Sequence, residues 1–312
     1  MSLTAPGNRV VVVGSVNLDT TSEVARLPAG GETVMATGVR TAVGGKGANQ
    51  AAASALQGVP TALVAGLGDD APGRALLDAL AATGVDVTGC KVVAGTTSGQ
   101  AFITVDATGA NTIVVVAGAN AALTADDVST AGARVVLTQL EIADGPVRAA
   151  LSQARAAGAF TILNPAPARP LDGAVLALCD LRVPNEHEAA ALTGAADPRD
   201  AAAALAASAG GASVIVTCGA RGALGFHAGS WFAVPPFPVD VVDTVAAGDA
   251  YCGVLAAAIA EGCPLEESAR RASAAGALAT TVRGALTSLP SRADVDALLD
   301  RGPNQAGLHP WR

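Results

Sequence analysis

DTVAAGDAYCGVLAAAIA, residues 243 to 260, sets two carboxylates on either side of a small-residue turn just where an apolar helix begins. Residues 250 to 260 carry no charge and no proline, so a helix is expected there with Ala246, Ala247, Gly248 and Asp249 in its first turn. First-turn N–H groups have no intrahelical partner and share the positive end of the helix dipole, an arrangement that attracts anions. Alanine and glycine let a phosphate come close to such a backbone. Asp249, at the same place, suits a group that takes a proton from an alcohol attacking that phosphate. Aspartate is also a preferred helix cap, and the turn by itself leaves both readings open.

Outward from this turn, short apolar runs alternate with longer amphipathic ones, the pattern of an α/β fold. Strands are expected over residues 9–14, 61–66, 134–140, 160–164, 180–184 and 213–218, and helices over 47–57, 73–83, 145–157, 186–193 and 198–208. Strands apolar on both faces and joined by helices form a mostly parallel sheet covered on both sides, a three-layer α/β/α sandwich. Residues 20–43 and 98–116 differ. They are β-branched and alternating, with a turn at Asp106 to Asn111 that reads as a hairpin loop, so they are expected to form a small β-sheet lid.

Fifty-one per cent apolar residues in a chain of 312 supply ample core, for one large domain or two. The net charge of −8 provides no basic face for nucleic acid, so an anionic substrate must be held locally, by helix ends and a few cations. Five cysteines without C-x-x-C spacing argue against a disulfide framework or a zinc site, and His187, His227 and His309 are too scattered to form a metal cluster. No signal-peptide layout opens the chain and no uncharged apolar run reaches the ~20 residues needed to cross a bilayer. A cytoplasmic location without membrane contact is expected.

Two further turns open small-residue helices: GGKGANQ (Gly44 to Gln50) and PNEHE (Pro184 to Glu188). Along with these stand VVVGSVNLD near the start, GDD at 68–70, AGANAALT at 117–124, TQLE at 138–141, LNPAPAR at 163–169 and TCGARG at 217–222. In this order and spacing they resemble the ribokinase family of sugar kinases, nearly end to end. The resemblance implies a single α/β domain over 1–312 with its β lid. It implies an ATP-dependent phosphotransferase acting on the O5 hydroxyl of D-ribose or, in related members, on fructose, ketodeoxygluconate or a nucleoside.

By the same resemblance Asn17, Asp19, Gly45, Lys46, Asn49 and Glu141 bind the sugar beside Asp249. A carboxylate and an amide suit the neighbouring hydroxyls of a furanose, although Asn17 and Asp19 would also fit an Asx-type turn. GGKGAN is not a P-loop, so Lys46 is not assigned the γ-phosphate. For ATP the resemblance implies Asn185, Thr217, Gly219, Gly222, Gly248 and Ser273. Asn185 and Glu188 are associated there with Mg²⁺ and phosphate, while their spacing also suits a helix cap. It further implies a K⁺ site formed by Asp243, the carbonyls of Val245, Ala279, Val282 and Gly284, and the Ser288 hydroxyl, and a homodimer formed through the lid. Carbonyls and hydroxyls suit a large monovalent ion, and Asp243 also fits a simple turn cap. Ser273, Tyr251 and Cys252 depart from the family pattern, and Gln100 is expected on the lid over the sugar.

Two rivals were weighed. Gly66, Gly68 and Ala71 match G-x-G-x-x-[GA], with Asp86 near the place of a ribose-binding acid, as in a dinucleotide-dependent oxidoreductase. Asp69 and Asp70 would set two negative charges against the pyrophosphate. The other rival, a sugar-binding protein without catalysis, leaves Asp249 and its small-residue turn unexplained.

Overall fold

Four consecutive valines form β1 (Val10–Val13), and all four are buried. Such a strand fits only the middle of a sheet covered on both faces. The computed structural model describes residues 7–208 and 211–302; His309 and both ends of the 1–312 span lie outside them. After β1 the chain leaves the sheet for β2 (Asn17–Val24) and β3 (Ala36–Gly44), then returns through α1 (Lys46–Ala55) to β4 (Thr61–Val64). There follow β5 (Gly66–Gly68), α2 (Ala71–Ala82), β6 (Val85–Asp86), β7 (Lys91–Val93), β8 (Gly99–Val105) and β9 (Asn111–Val116). The second half runs β10 (Val135–Thr138), α3 (Asp144–Ala156), β11 (Phe160–Leu163), α4 (Gly173–Leu176), β12 (Leu181–Arg182), α5 (Glu186–Thr193) and α6 (Pro198–Ala207). It ends with β13 (Ser213–Thr217), β14 (Ala223–His227), β15 (Ser230–Val234), α7 (Ala247–Ala260), α8 (Leu265–Ala279) and α9 (Arg292–Arg301).

The main sheet has nine strands in the order β15-β14-β13-β12-β11-β10-β1-β4-β6. From β13 to β6 all neighbours run parallel. The valines of β1 show the three layers directly. Val10 and Val12 join a core with α1, α7 and α8 on one face, and Val11 and Val13 join a core with α3 on the other. α1 and α7 pack closely because Gly253 has no side chain; a Cβ there would lie 2.4 Å from the Gln50 carbonyl oxygen.

All six expected strands are present, within one or two residues at either end. The antiparallel hairpin β14–β15 was not expected from the sequence. Its two-residue loop, Ala228 and Gly229, has φ of 48° and 81°, the left-handed pair such hairpins need, but Ala-Gly carries none of the Asn-Gly signal.

The smaller sheet has the order β3-β2-β8-β9. It begins at Asn17, so Asn17 and Asp19 are strand residues and form no Asx turn. The rival reading at Gly66 also ends here. Gly66 to Gly68 form β5, paired in parallel with β7, and Asp70 caps α2 by accepting from the Gly73 N–H at 2.8 Å.

Candidate active site

In a parallel sheet flanked by helices, the open space lies beyond the carboxyl ends of the strands. Ser15 to Asn17 follow β1, Gln139 to Glu141 follow β10, Asn164 follows β11 and Asn185 follows β12. The N-terminus of α1 is pressed against the first of these links. Gly45, with φ of 89°, is the N-cap of α1; a Cβ on it would come within 2.9 Å of the Asn17 nitrogen and the Ser15 carbonyl oxygen. Glu141 completes the junction, accepting from the Ser15 hydroxyl and from the Lys46 N–H at 3.0 Å.

Asp249 is the third residue of α7 and is 7% exposed. It does not reach back to cap its own helix. Its two oxygens accept from α1, Oδ2 from Asn49 Nδ2 at 3.1 Å and Oδ1 from Gln50 Nε2 at 2.9 Å. Burial raises its pKa; Lys46 and the two amides pull the other way without reversing the shift. Asn49 Oδ1 is buried and has no protein partner, so the side chain that steadies the carboxylate presents a second polar atom to the site.

Around Asp249 the structure gathers most of the expected sugar-binding set. Asp19 is pushed up to about 7 by burial, with Glu141 and Asp249 adding repulsion. Lys46 would be lowered by burial, but Asp249, Glu141 and Glu188 around it outweigh that and hold it as a cation. Glu188 is raised, chiefly by burial. One ammonium therefore stands among four acids, Asp19, Glu141, Glu188 and Asp249, an arrangement with room for more positive charge. Asn17 is oriented by Asn120, whose Nδ2 donates to Asn17 Oδ1 at 2.8 Å while its own Oδ1 accepts from the Val16 N–H at 2.9 Å. Asn120, within AGANAALT, is not among the residues expected at the site, and neither are Ser15, Gln50, Gln139 and Asn164.

The start of α7 is open. Ala246 is the N-cap, in the left-handed region at φ 60°, and it provides no capping side chain. Gly248 is exposed, with no atom within 4 Å of where its Cβ would be. The Ala247 N–H donates to the Thr244 carbonyl at 3.4 Å, and beside Gly248 the first turn is open to a ligand. Between the lid and the loop before α7 lies a cleft of about 710 Å³, bordered by Asp19, Thr21 and Ile103 on one side and Asp243, Val245 and Arg283 on the other. Gln100 does not border it. Asp19 is in register with Ala101, and Gln100 with Leu18, so alternation along the strand turns Gln100 to the opposite face.

Asn185 is bridged to Thr217 across the ends of β12 and β13. Asn185 and Glu188 form a reciprocal cap at 2.8 Å each way. Asn185 Oδ1 is thereby engaged, and Glu188 retains Oε1. No three His, Cys, Asp or Glu side chains among the described residues stand close enough to hold a metal by themselves. That donor set fits a magnesium ion held mainly by phosphate oxygens and waters, with Glu188 as an oxygen-bearing neighbour. Gly219 and Gly222 flank a short turn with φ of 53° and 85°. Ser273 has its hydroxyl oxygen buried, beside the buried hydroxyl of Tyr251.

Asp243 ties two loops together, accepting from the Val245 N–H at 3.1 Å and the Gly284 N–H at 3.0 Å. The Ser288 hydroxyl donates to the Ala285 carbonyl at 2.9 Å. The turn-capping role of Asp243 is thus present, and it brings together two of the segments expected around a cation.

Residues 8–292 match the family model described as pfkB family carbohydrate kinase. A ribokinase from Bacillus subtilis is 37% identical over 301 residues, covering 93% of this chain and 99% of that protein. A bifunctional ribokinase/ribose-5-phosphate isomerase A from Fructilactobacillus sanfranciscensis is 37% identical over 296 residues, and the chain spans 55% of its length. Among solved structures, that of Arabidopsis thaliana ribokinase complexed with ribose and ATP superposes with a TM-score of 0.87 at 34% identity, covering 95% of this chain and 99% of that one.

Proposed function

This chain belongs to the pfkB family of carbohydrate kinases, and from that premise we propose that it transfers the terminal phosphoryl group of ATP to D-ribose, with Asp249 taking the proton from the O5 hydroxyl. The observation that carries the reading is Asp249 itself. It is a buried carboxylate at a helix N-terminus, held by a neighbouring helix and left free of capping duty. Phosphoryl transfer asks a protein mainly to align an alcohol with the phosphorus and to stabilise spreading charge. Asn17, Asp19, Asn49 and Glu141 offer donors and acceptors for the sugar hydroxyls, and the partnerless Oδ1 of Asn49 would gain a donor from one of them. The N–H groups of Ala246, Ala247 and Gly248 at the start of α7 are assigned to the charge that grows on the transferred group. Charge neutralisation would come from a magnesium ion bound with the nucleotide, and Glu188 and Asn185 are the residues that would stand beside it. Thr217, Gly219, Gly222 and Ser273 are assigned to the nucleotide side, and the lid closes over the sugar to keep water from the phosphoryl group.

Three finer assignments go with this reading. Asp243, Val245, Ala279, Val282, Gly284 and Ser288 are proposed to hold a potassium ion that stiffens the turn before α7. The lid is proposed to pair two copies of the chain, since Val39, Phe102, Val114 and Val116 share the face turned away from Asp19 and are all exposed, a patch suited to an interface. A cytoplasmic location suits five cysteines that are all unpaired.

The test is ADP release with a panel of ribose, fructose, ketodeoxygluconate and nucleosides, in sodium and in potassium salts at equal ionic strength. Ribose-dependent ADP release with ribose 5-phosphate in the mass spectrum is the expected result, several-fold faster in potassium. ATP consumption that ignores added sugar would overturn the reading, and a potassium response that survives Asp243→Ala would move the cation elsewhere.

A further inference from the structure

Behind Asp249 lies a buried row of amides that the reaction outlined above does not use. Gln50, within α1, has no exposed surface, and every polar site on its side chain is engaged. Nε2 donates to Asp249 Oδ1 at 2.9 Å and to Asn164 Oδ1 at 3.1 Å, while Oε1 accepts from Gln139 Nε2 at 2.6 Å. Asn164 is fixed in turn by donating Nδ2 to the Val183 carbonyl at 2.8 Å. A reversed Gln50 amide would set its oxygen against two acceptor oxygens and its nitrogen against the Gln139 nitrogen, losing all three bonds. The surroundings therefore permit one orientation, with the donor aimed at Asp249.

A purely structural account of this row is weak. Gln139 Oε1 remains buried without a protein partner, and an incompletely satisfied polar row is a poorer core than apolar side chains of the same size. Its members come from the ends of β10 and β11 and from α1; Gln139 and Asn164 both bond to Gln50, and Gln50 alone reaches the carboxylate. Gly253 permits the close α1–α7 approach that brings Gln50 within reach.

We propose that Gln50 is a positioning residue for Asp249, held by Gln139 and Asn164 so that it anchors Oδ1 and leaves Oδ2, beside Asn49, to take the proton from the sugar hydroxyl. The inference rests on the assignment of Asp249 as the base. Gln50 touches neither substrate in this scheme; it acts only through the carboxylate. Two consequences follow for kinetics. A donor on Oδ1 favours the ionised form, so its loss raises the pKa of the base and moves the acid limb of the rate profile to higher pH. The loss of orientation lowers kcat on the plateau, with the Michaelis constants for sugar and ATP unchanged. The charged and titratable groups facing Asp249 are Lys46 of α1, Asp19 of β2, Glu141 after β10, Glu188 of α5 and Cys252 of α7. None of these is altered by a change at Gln50.

The experiment compares Gln50→Met, Gln139→Met, Asp249→Asn and the double variant Gln50→Met/Asp249→Asn, with kcat, both Michaelis constants and melting temperature measured across about pH 5 to 9. Gln50→Met is expected to lose about tenfold in kcat and to shift the acid limb upward by about one pH unit, at unchanged Michaelis constants. Gln139→Met, which only frees Gln50 to turn, should shift the limb in the same direction by less. In the Asp249→Asn background, Gln50→Met should cost nothing more. An acid limb that stays in place in folded Gln50→Met overturns the proposal, as does a full additional loss in the double variant. If Gln50→Met does not fold, an unmoved limb in Gln139→Met overturns it. Asp249→Asn that keeps a tenth of wild-type kcat strikes the base assignment itself, whereas an inactive Asp249→Asn beside an unaltered Gln50→Met profile strikes Gln50 alone.

Discussion

Two helices, α5 and α7, begin near Lys46, and each carries a carboxylate at its third position, Glu188 and Asp249. α5 is closed by its own side chains. Asn185 accepts from the Glu188 N–H, and Glu188 accepts from the Asn185 N–H, so two orphan donors are satisfied locally. α7 has no capping side chain, an N-cap in the left-handed region, and a carboxylate that turns away to α1. The contrast separates two uses of the same local chemistry. A carboxylate that reaches back to its own backbone lowers the energy of the fold, whereas one withheld from that contact leaves both itself and the backbone donors for a ligand.

The strongest way to break this contrast is to neutralise each carboxylate in turn. Asp249→Asn keeps the shape and hydrogen-bonding capacity but cannot accept the proton, so kcat should fall by ~10²- to 10⁴-fold with the melting temperature held or raised. Asn49 can turn its amide to meet the new side chain, because its Oδ1 has no partner. Glu188→Gln retains an oxygen for the Asn185 N–H and should leave stability unchanged, with a far smaller loss of rate. Equal losses in the two variants, read from steady-state rates at saturating substrates, would show that the two helix ends are not divided in this way.

A third carboxylate, Asp19, caps nothing and sharpens the comparison through pH. In the folded protein its pKa is about 7 against an ordinary 3.8. The folded form therefore keeps a proton that the unfolded chain releases. Its contribution to stability is present at low pH and is lost as pH rises through about 7. Asp19→Asn mimics the protonated form. Its melting temperature should match wild type near pH 4 and exceed it near pH 8. A difference that is the same at both ends would mean that Asp19 is not the buried, repelled group described above. The same variant should raise the Michaelis constant for sugar more than that for ATP, because Asp19 belongs to the proposed sugar-binding set.

The contrast between the helix ends was only half legible in the sequence. An uncharged run after DTVAAGD marks the start of α7, and Asn185 followed by Glu188 marks the cap of α5, since both signals are local. What lay beyond reach was the partner of Asp249. Gln50 is 199 residues from it and Asn164 a further contact 114 residues from Gln50, and glutamine in a helix ordinarily reads as a solvent-facing residue. The lid is expected from residue 20, yet its first strand begins at Asn17 and takes in Asp19, because the chain passes from one sheet to the other within three residues. β14 and β15 escaped because their hairpin loop uses Ala228, whose positive φ no sequence rule anticipates. Pairing between distant segments, rather than local propensity, decided each of these.

The finest test of the contrast concerns backbone strain at the two N-caps, where opposite signs are expected. Asn185 sits in extended conformation with its side chain engaged, and Asn185→Ala should cost about 1 kcal/mol, as loss of a capping acceptor does. Ala246 at φ 60° and ψ 5° holds a conformation that costs a residue with a Cβ about 1–2 kcal/mol. Glycine would remove that cost, while the greater freedom of the unfolded chain takes back about 0.4–1 kcal/mol. The strain is the larger of the two, so Ala246→Gly should stabilise the protein by roughly 0.5–1 kcal/mol, seen as a higher denaturant midpoint at constant slope. The open end of α7 would then be strained only through its alanine. If Ala246→Gly destabilises instead, Ala246 makes contacts that outweigh its backbone strain, and the start of α7 is held more firmly than its missing cap implies.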